Sequence, residues 1–181
     1  MKKLVLFLGA AIVAASCTNH VSYGKLEFDY PADVTISDKS DNDDGSMTIF
    51  FDKDKSEIDL LLLEVNLEDD EVMGWDFDKK GSYLAYCAYE MLHSWALDNE
   101  DISVNEAPED WTDIEFYKDD YGDPEIFYEF EGLFYDTPYK AVIRSTYFGD
   151  YRITALSQGE SEDAVDYLID NIYCTAHLKE K

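Results

Sequence analysis

Apolar and polar residues alternate with a period of two over most of the chain, and the period turns helical in two places. "KLEFDYP" (25–31) sets Leu26, Phe28 and Tyr30 against Glu27 and Asp29, which predicts a half-buried strand stopped by Pro31. "MTIFF" (47–51) and "EIDLLLLEVNL" (57–67) predict two more. The second of these is apolar on both alternating faces, with Leu60 and Leu62 on one and Leu61, Leu63 and Val65 on the other. Such a strand belongs in the middle of a sheet covered on both sides. In "SYLAYCAYEMLHSWAL" the period becomes helical. Leu84, Cys87, Ala88, Met91, Leu92 and Trp95 make one stripe, and Tyr86, Tyr89, Glu90 and His93 fall opposite. Strand patterns resume in "DISVNE", "DIEFYK", "PEIFYEFEG", "PYKAVIRSTYFG" and "YRITALSQ", divided by "YGDP", "YDTP" and the hairpin turn Gly149-Asp150. Ser161 then caps "EDAVDYLIDNIY", whose Ala164, Val165, Leu168, Ile169 and Ile172 form an apolar face. No internal repeat or second domain interrupts the pattern.

The first seventeen residues differ. Met1-Lys2-Lys3 is a short basic start, and "LVLFLGAAIVAAS" is an apolar run too short to span a bilayer, which suits a secretory signal. The run ends at "AASC", with small residues directly before Cys17. This resembles the bacterial lipoprotein signal, in which the cysteine is acylated and becomes the first mature residue. An ordinary cleaved signal with an incidental Cys17 is the alternative. The resemblance implies several acyl chains on Cys17, enough for stable anchoring. Residues 1–17 are therefore expected to be a signal peptide ending at the lipidated cysteine, 18–24 ("TNHVSYG") a polar tether, and 25–181 one globular domain. Thr18 stands where an inner-membrane retention signal has Asp, and no acidic cluster follows closely. Both point to the outer membrane, facing the periplasm.

Charge narrows the partners. The chain carries 41 acidic and 14 basic residues, a net charge of −27, and processing would remove Lys2 and Lys3 as well. Such a surface repels nucleic acid and anionic lipid and attracts basic proteins or cations. With 46% hydrophobic and 15% aromatic residues the chain is no disordered acidic tail. Solubility is the simplest reason for the acidity. Cys87 and Cys174 lie far apart, with no CxxC and no histidine at metal spacing, so a disulfide between them is left open. Cys87 falls on an apolar helix stripe, where a buried thiol is the common outcome.

Candidate chemistry is sparse. "SDKSDNDDGS" (37–46) invites a calcium-loop reading. With Gly45 as the sixth loop residue, however, Ser40 would be first and Phe51 twelfth, where an EF-hand needs an acid and a Glu. Asp44-Gly45 is instead a favoured hairpin dipeptide. His20 lies in the expected tether, His177 near the C-terminus, and His93 on the polar side of its helix. No HExxH, GxSxG, Cys–His or phosphate-cradling glycine pattern occurs, and no metal or cofactor is expected.

A resemblance joins these features. "FDYPADV", two strands, a helix, a run of antiparallel strands and a closing "YRITALS…AVDYLIDNI" resemble the PsbP-like superfamily over residues 25–178. Its members include the extrinsic oxygen-evolving protein of photosystem II, a Ran-binding nuclear import factor and small bacterial lipoproteins. The resemblance implies an α+β domain, with an antiparallel sheet of about six or more strands flanked by a helix on each face. It also implies protein binding rather than catalysis. The expected function is a protein-binding or scaffolding envelope lipoprotein. The alternatives are an acidic inhibitor or immunity-type lipoprotein that neutralises a basic enzyme, and an envelope enzyme without a recognisable motif. Tyr117, Asp119, Asp120, Tyr121 and Tyr135, in the tyrosine- and acid-rich stretch, are the expected rim for a basic partner, through cation–π contact and ion pairing.

Overall fold

The computed structural model describes residues 18–97 and 99–179. Cys17 and the signal segment lie outside the described residues. In chain order the strands are β1 (Thr18–Tyr23), β2 (Leu26–Pro31), β3 (Val34–Asp41), β4 (Met47–Lys53) and β5 (Leu60–Leu67). Helices α1 (Asp70–Met73) and α2 (Phe77–Leu92) follow, then β6 (Ile102–Val104), β7 (Phe116–Lys118), β8 (Pro124–Phe134), β9 (Thr137–Phe148) and β10 (Tyr151–Gly159). The chain closes with α3 (Glu162–Asn171) and β11 (His177–Leu178).

An eight-stranded antiparallel sheet runs in the order β3-β4-β5-β10-β9-β8-β6, with β7 also paired to β8. β5 sits near its middle, and both of its faces are covered as its two-sided apolar pattern requires: Leu61 and Leu63 are fully buried on one face, and Leu62 is 7% exposed on the other. On the first face lie α3 and a separate three-stranded sheet, β1-β2-β11, which pack Leu26, Phe28, Leu168 and Ile169 against Ile49, Leu63 and Ile153. On the second, α2 packs Leu84, Ala88 and Leu92 against Ile126, Ile143 and Leu156. Each Leu, Ile or Phe side chain contributes about 1.5–3 kcal/mol when fully buried, so the two cores hold the layers together.

Local chemistry sets the boundaries. The Asp76 carboxylate accepts from Lys79 N at the start of α2, and the Ser161 hydroxyl from Ala164 N at the start of α3. α2 leaves its regular period at a single π-helical turn, His93–Leu97. Gly149, at φ 62°, turns β9 into β10.

Two expectations need correction. Residues 18–24 are not a tether: Thr18 to Tyr23 pair residue by residue with Pro31 to Leu26, and Val21 enters the core. The acidic stretch at 37–46 is mostly strand, since β3 pairs with β4 through Asp41 and only residues 42–46 turn. β3 is an edge strand with its outer positions in solvent, so it needs few apolar residues. β2 belongs to the small sheet.

Candidate functional site

β7, β8 and the turn between them project from the sheet edge, and one carboxylate builds that turn. Asp119 accepts from Tyr121 N at 2.9 Å and Asp123 N at 2.8 Å, while its own N–H donates to Asp123 O at 2.9 Å. Gly122, at φ 96°, supplies the left-handed residue the turn needs. Tyr121 is thereby presented almost wholly to solvent, 93% exposed. Tyr117, on β7, lies directly across from Glu125 and so shares its face of the sheet. Its hydroxyl donates to Glu115 Oε2 at 3.1 Å, and that carboxylate raises the Tyr117 pKa.

Behind this turn is a cleft of about 760 Å³. Asp119, Asp120, Tyr121 and Asp123 form its outer wall, and Glu125, Arg144 and Tyr173 line it deeper in. Arg144 is held by Glu125, whose Oε1 accepts from Nε at 3.1 Å and also from Nη2. The guanidinium lies 5.2 Å from the Tyr173 ring and 5.9 Å from the Phe127 ring. Tyr173 is 6% exposed, and its hydroxyl has no hydrogen-bond partner among the described residues. Burial drives its pKa well up, and Arg144, Glu125, Cys174 and Asp119 are the charged or polar groups that act on it. All four line the same cleft, as does Tyr173 itself. Tyr135 does not. It sits in the β8–β9 turn, at the other end of β8, with its ring edge-on to Phe134 at 5.1 Å. The eleven residues of β8 put it ~34 Å from the Tyr121 turn. The expected rim is therefore Tyr117, Asp119, Asp120 and Tyr121, with Tyr135 elsewhere.

No protein-family model matches the chain, and no curated protein matches it. Among solved structures, it is similar to the solution structure of cyanobacterial PsbP (CyanoP) from Synechocystis sp.. The TM-score is 0.58 at 16% identity, over 95% of this chain and 99% of that one. The fold is PsbP-like. At that identity the likeness extends to the fold alone. A crystal structure from Bacteroides thetaiotaomicron is more distant, with a TM-score of 0.41 and 9% identity over 87% of this chain and 46% of that one.

The opposite face of the PsbP-like sheet carries a second polar cluster, beneath α2. Arg152 is 4% exposed and donates through Nε to Glu68 at 2.9 Å and through Nη1 to Glu64 at 3.0 Å. Beside it a cleft of about 480 Å³ is lined by Tyr83, Cys87 and Trp95. Burial pushes the Cys87 thiol up to about 11 and the Tyr83 hydroxyl up to about 12, so both stay protonated at neutral pH. A protonated thiol is a poor nucleophile, and the cluster reads as a buried ion network rather than a reactive centre. Cys174 lies on the α3 side of the sheet, and both cysteines are free thiols. The histidines disperse: His20 contacts Asp29, His177 contacts Glu27, and His93 lies beside the Tyr89 ring. Among the described residues no group of three or more His, Cys, Asp or Glu is placed to hold a metal ion.

Sequence reasoning missed Glu125, Arg144 and Tyr173. Their meeting depends on the β8–β9 register and on the chain's return after α3, and neither leaves a local pattern.

Proposed function

We propose that the protein is a non-enzymatic envelope lipoprotein, anchored through acylated Cys17 to the outer membrane on its periplasmic side, that binds a basic partner protein. The observation that carries this reading is the acidic cleft with a solvent-exposed tyrosine at its mouth. Four carboxylates, of Asp119, Asp120, Asp123 and Glu125, line the cleft against two cations, Arg144 and Lys118, so it keeps an excess of acids. Arg144 is bonded to Glu125, and Lys118 lies 5.8 Å from the Phe77 ring. Elsewhere Lys79 stacks on Trp75, Lys53 on Tyr167, and Arg152 is sealed under α2. With 41 acidic residues against 14 basic ones the surface keeps an excess of acids, and such a field draws in a basic surface.

Thr18 is already in β1, so acyl chains on Cys17 would hold the folded domain close to the bilayer with no flexible spacer. Cys17→Ser should move the protein out of the membrane fraction.

The test of the binding reading is low-salt affinity capture from envelope extract with the full chain, run beside the Asp120→Lys variant. A basic partner captured by the native chain and lost with Asp120→Lys supports it. An acidic or neutral partner, or equal capture by both, overturns it. Assay of any captured enzyme separates a scaffold, which leaves activity intact, from an inhibitor, which abolishes it.

A further inference from the structure

β8 is packed under α2 on one face and largely bare on the other. Ile126 and Phe130 are buried toward α2, whereas Phe127, pointing the opposite way, is 47% exposed. α3 lies chiefly over β10, β9 and β5, so it stops short of this strand. Phe127 therefore stands in the open between two acidic hollows. On one side is the cleft of Asp120, Tyr121 and Asp123, with Lys118 also in its lining. On the other is a hollow of about 290 Å³ bordered by Glu129, Glu131, Glu162 and Asp166. Lys140, the cation of the second hollow, faces Glu162 at 3.5 Å, and Arg144 between the two is held by Glu125. The result is a groove that is acidic at each end and aromatic midway.

We infer that this groove receives an extended basic segment of the partner, with an apolar side chain on Phe127 and a Lys or Arg side chain in each hollow. The inference rests on the basic-partner reading above and names where and how that partner is held. Charge complementarity supports it, since ammonium and guanidinium groups beside tyrosine and carboxylate gain both ion pairing and cation–π attraction. The unpartnered Tyr173 hydroxyl supports it independently. A buried hydroxyl without a partner is a standing cost, and a donor lodged in the cleft removes it. A second copy of the chain is disfavoured as occupant, because like charges of this size repel. Spacing follows from the strand. Asp123, just ahead of β8, and Glu129 on it are ~20 Å apart along the strand, so the partner's basic residues should lie about six apart in an extended segment.

The probes are synthetic peptides titrated by fluorescence anisotropy into the full chain in detergent micelles. One carries arginines about six residues apart around a central leucine. A second has serine for the leucine, and a third brings the arginines to about half that spacing. The first should bind best. Phe127→Ala, at an exposed position, should leave the melting temperature unchanged and weaken the first peptide about tenfold, with no further loss for the serine peptide. Glu129→Lys with Glu131→Lys should weaken it as well. Should all three peptides bind alike, with Phe127→Ala silent, the groove is wrong although a basic partner still stands. Should no basic peptide bind and no basic protein be captured, both readings fall together.

Discussion

At the scale of single residues, two side chains carry sharp consequences. Arg152 is buried with Glu68, whose side chain is also 4% exposed, so removing the arginine strands a carboxylate in the interior. Arg152→Met should lower the unfolding free energy by about 3–5 kcal/mol in a urea titration, and adding Glu68→Leu should restore much of it. A loss under about 1 kcal/mol for the single variant would mean that the pair is solvated. Asp44 holds the β3–β4 turn by accepting from Ser46 N at 2.9 Å and Ser46 Oγ at 2.7 Å, and these bonds lower its pKa below 3.8. A depressed carboxylate stabilises the fold above its unfolded pKa, and the effect is lost as pH falls through the lower folded value. Asp44→Asn should therefore flatten the acid limb of the stability curve below about pH 4 and leave its shape near neutrality unchanged. Asp119 shapes the cleft as well as charging it. Its carboxylate ties the β7–β8 turn together, so charge on the cleft is better altered at Asp120, for which no hydrogen bond has to be broken.

At the scale of elements, α2 and β7 are locked by a glycine. A Cβ on Gly81 would come within 2.2 Å of the Phe116 ring, although alanine inside a helix normally gains about 1 kcal/mol over glycine. Overpacking costs about 1–3 kcal/mol, so the clash wins. Gly81→Ala should lower the melting temperature, and because Phe116 opens β7, it should also loosen the Tyr121 turn and weaken partner binding. An unchanged or raised melting temperature would contradict this packing. Elements with a strong period were legible in the sequence: β5, β8 to β10, α2, and α3 with its Ser161 cap all follow from spacing alone. β1 and β3 were not, because an edge strand buries few side chains and is fixed by backbone pairing that polar residues do not betray. The same limit applies to the site. Tyr121 and Asp120 could be read from an acidic turn, but Tyr135, close in sequence, is carried to the far end by the length of β8. Arg144 and Tyr173 reach the cleft from strands and turns distant in the chain.

At the scale of the whole molecule, a PsbP-like sheet is covered by α2 on one face and by α3 with the small sheet on the other, and the surface carries a net charge of −27. The small sheet also sets where an anchor would lie. β1 forms one edge, while the chain leading into β11 at the other edge lines the acidic cleft, so β2 separates the two. An anchor on Cys17 would thus lie across β2 from the cleft. The direct test of an acidic binding face is the association rate of the captured partner, followed by surface plasmon resonance as ionic strength rises from low to physiological. Charge steering acts through a field screened within ~8–10 Å at physiological salt, so association should slow steeply. Asp120→Lys should slow it further at low salt, and Tyr121→Ala should chiefly hasten dissociation. An association rate indifferent to salt and to Asp120→Lys would show that the acidity serves solubility and that the partner binds elsewhere.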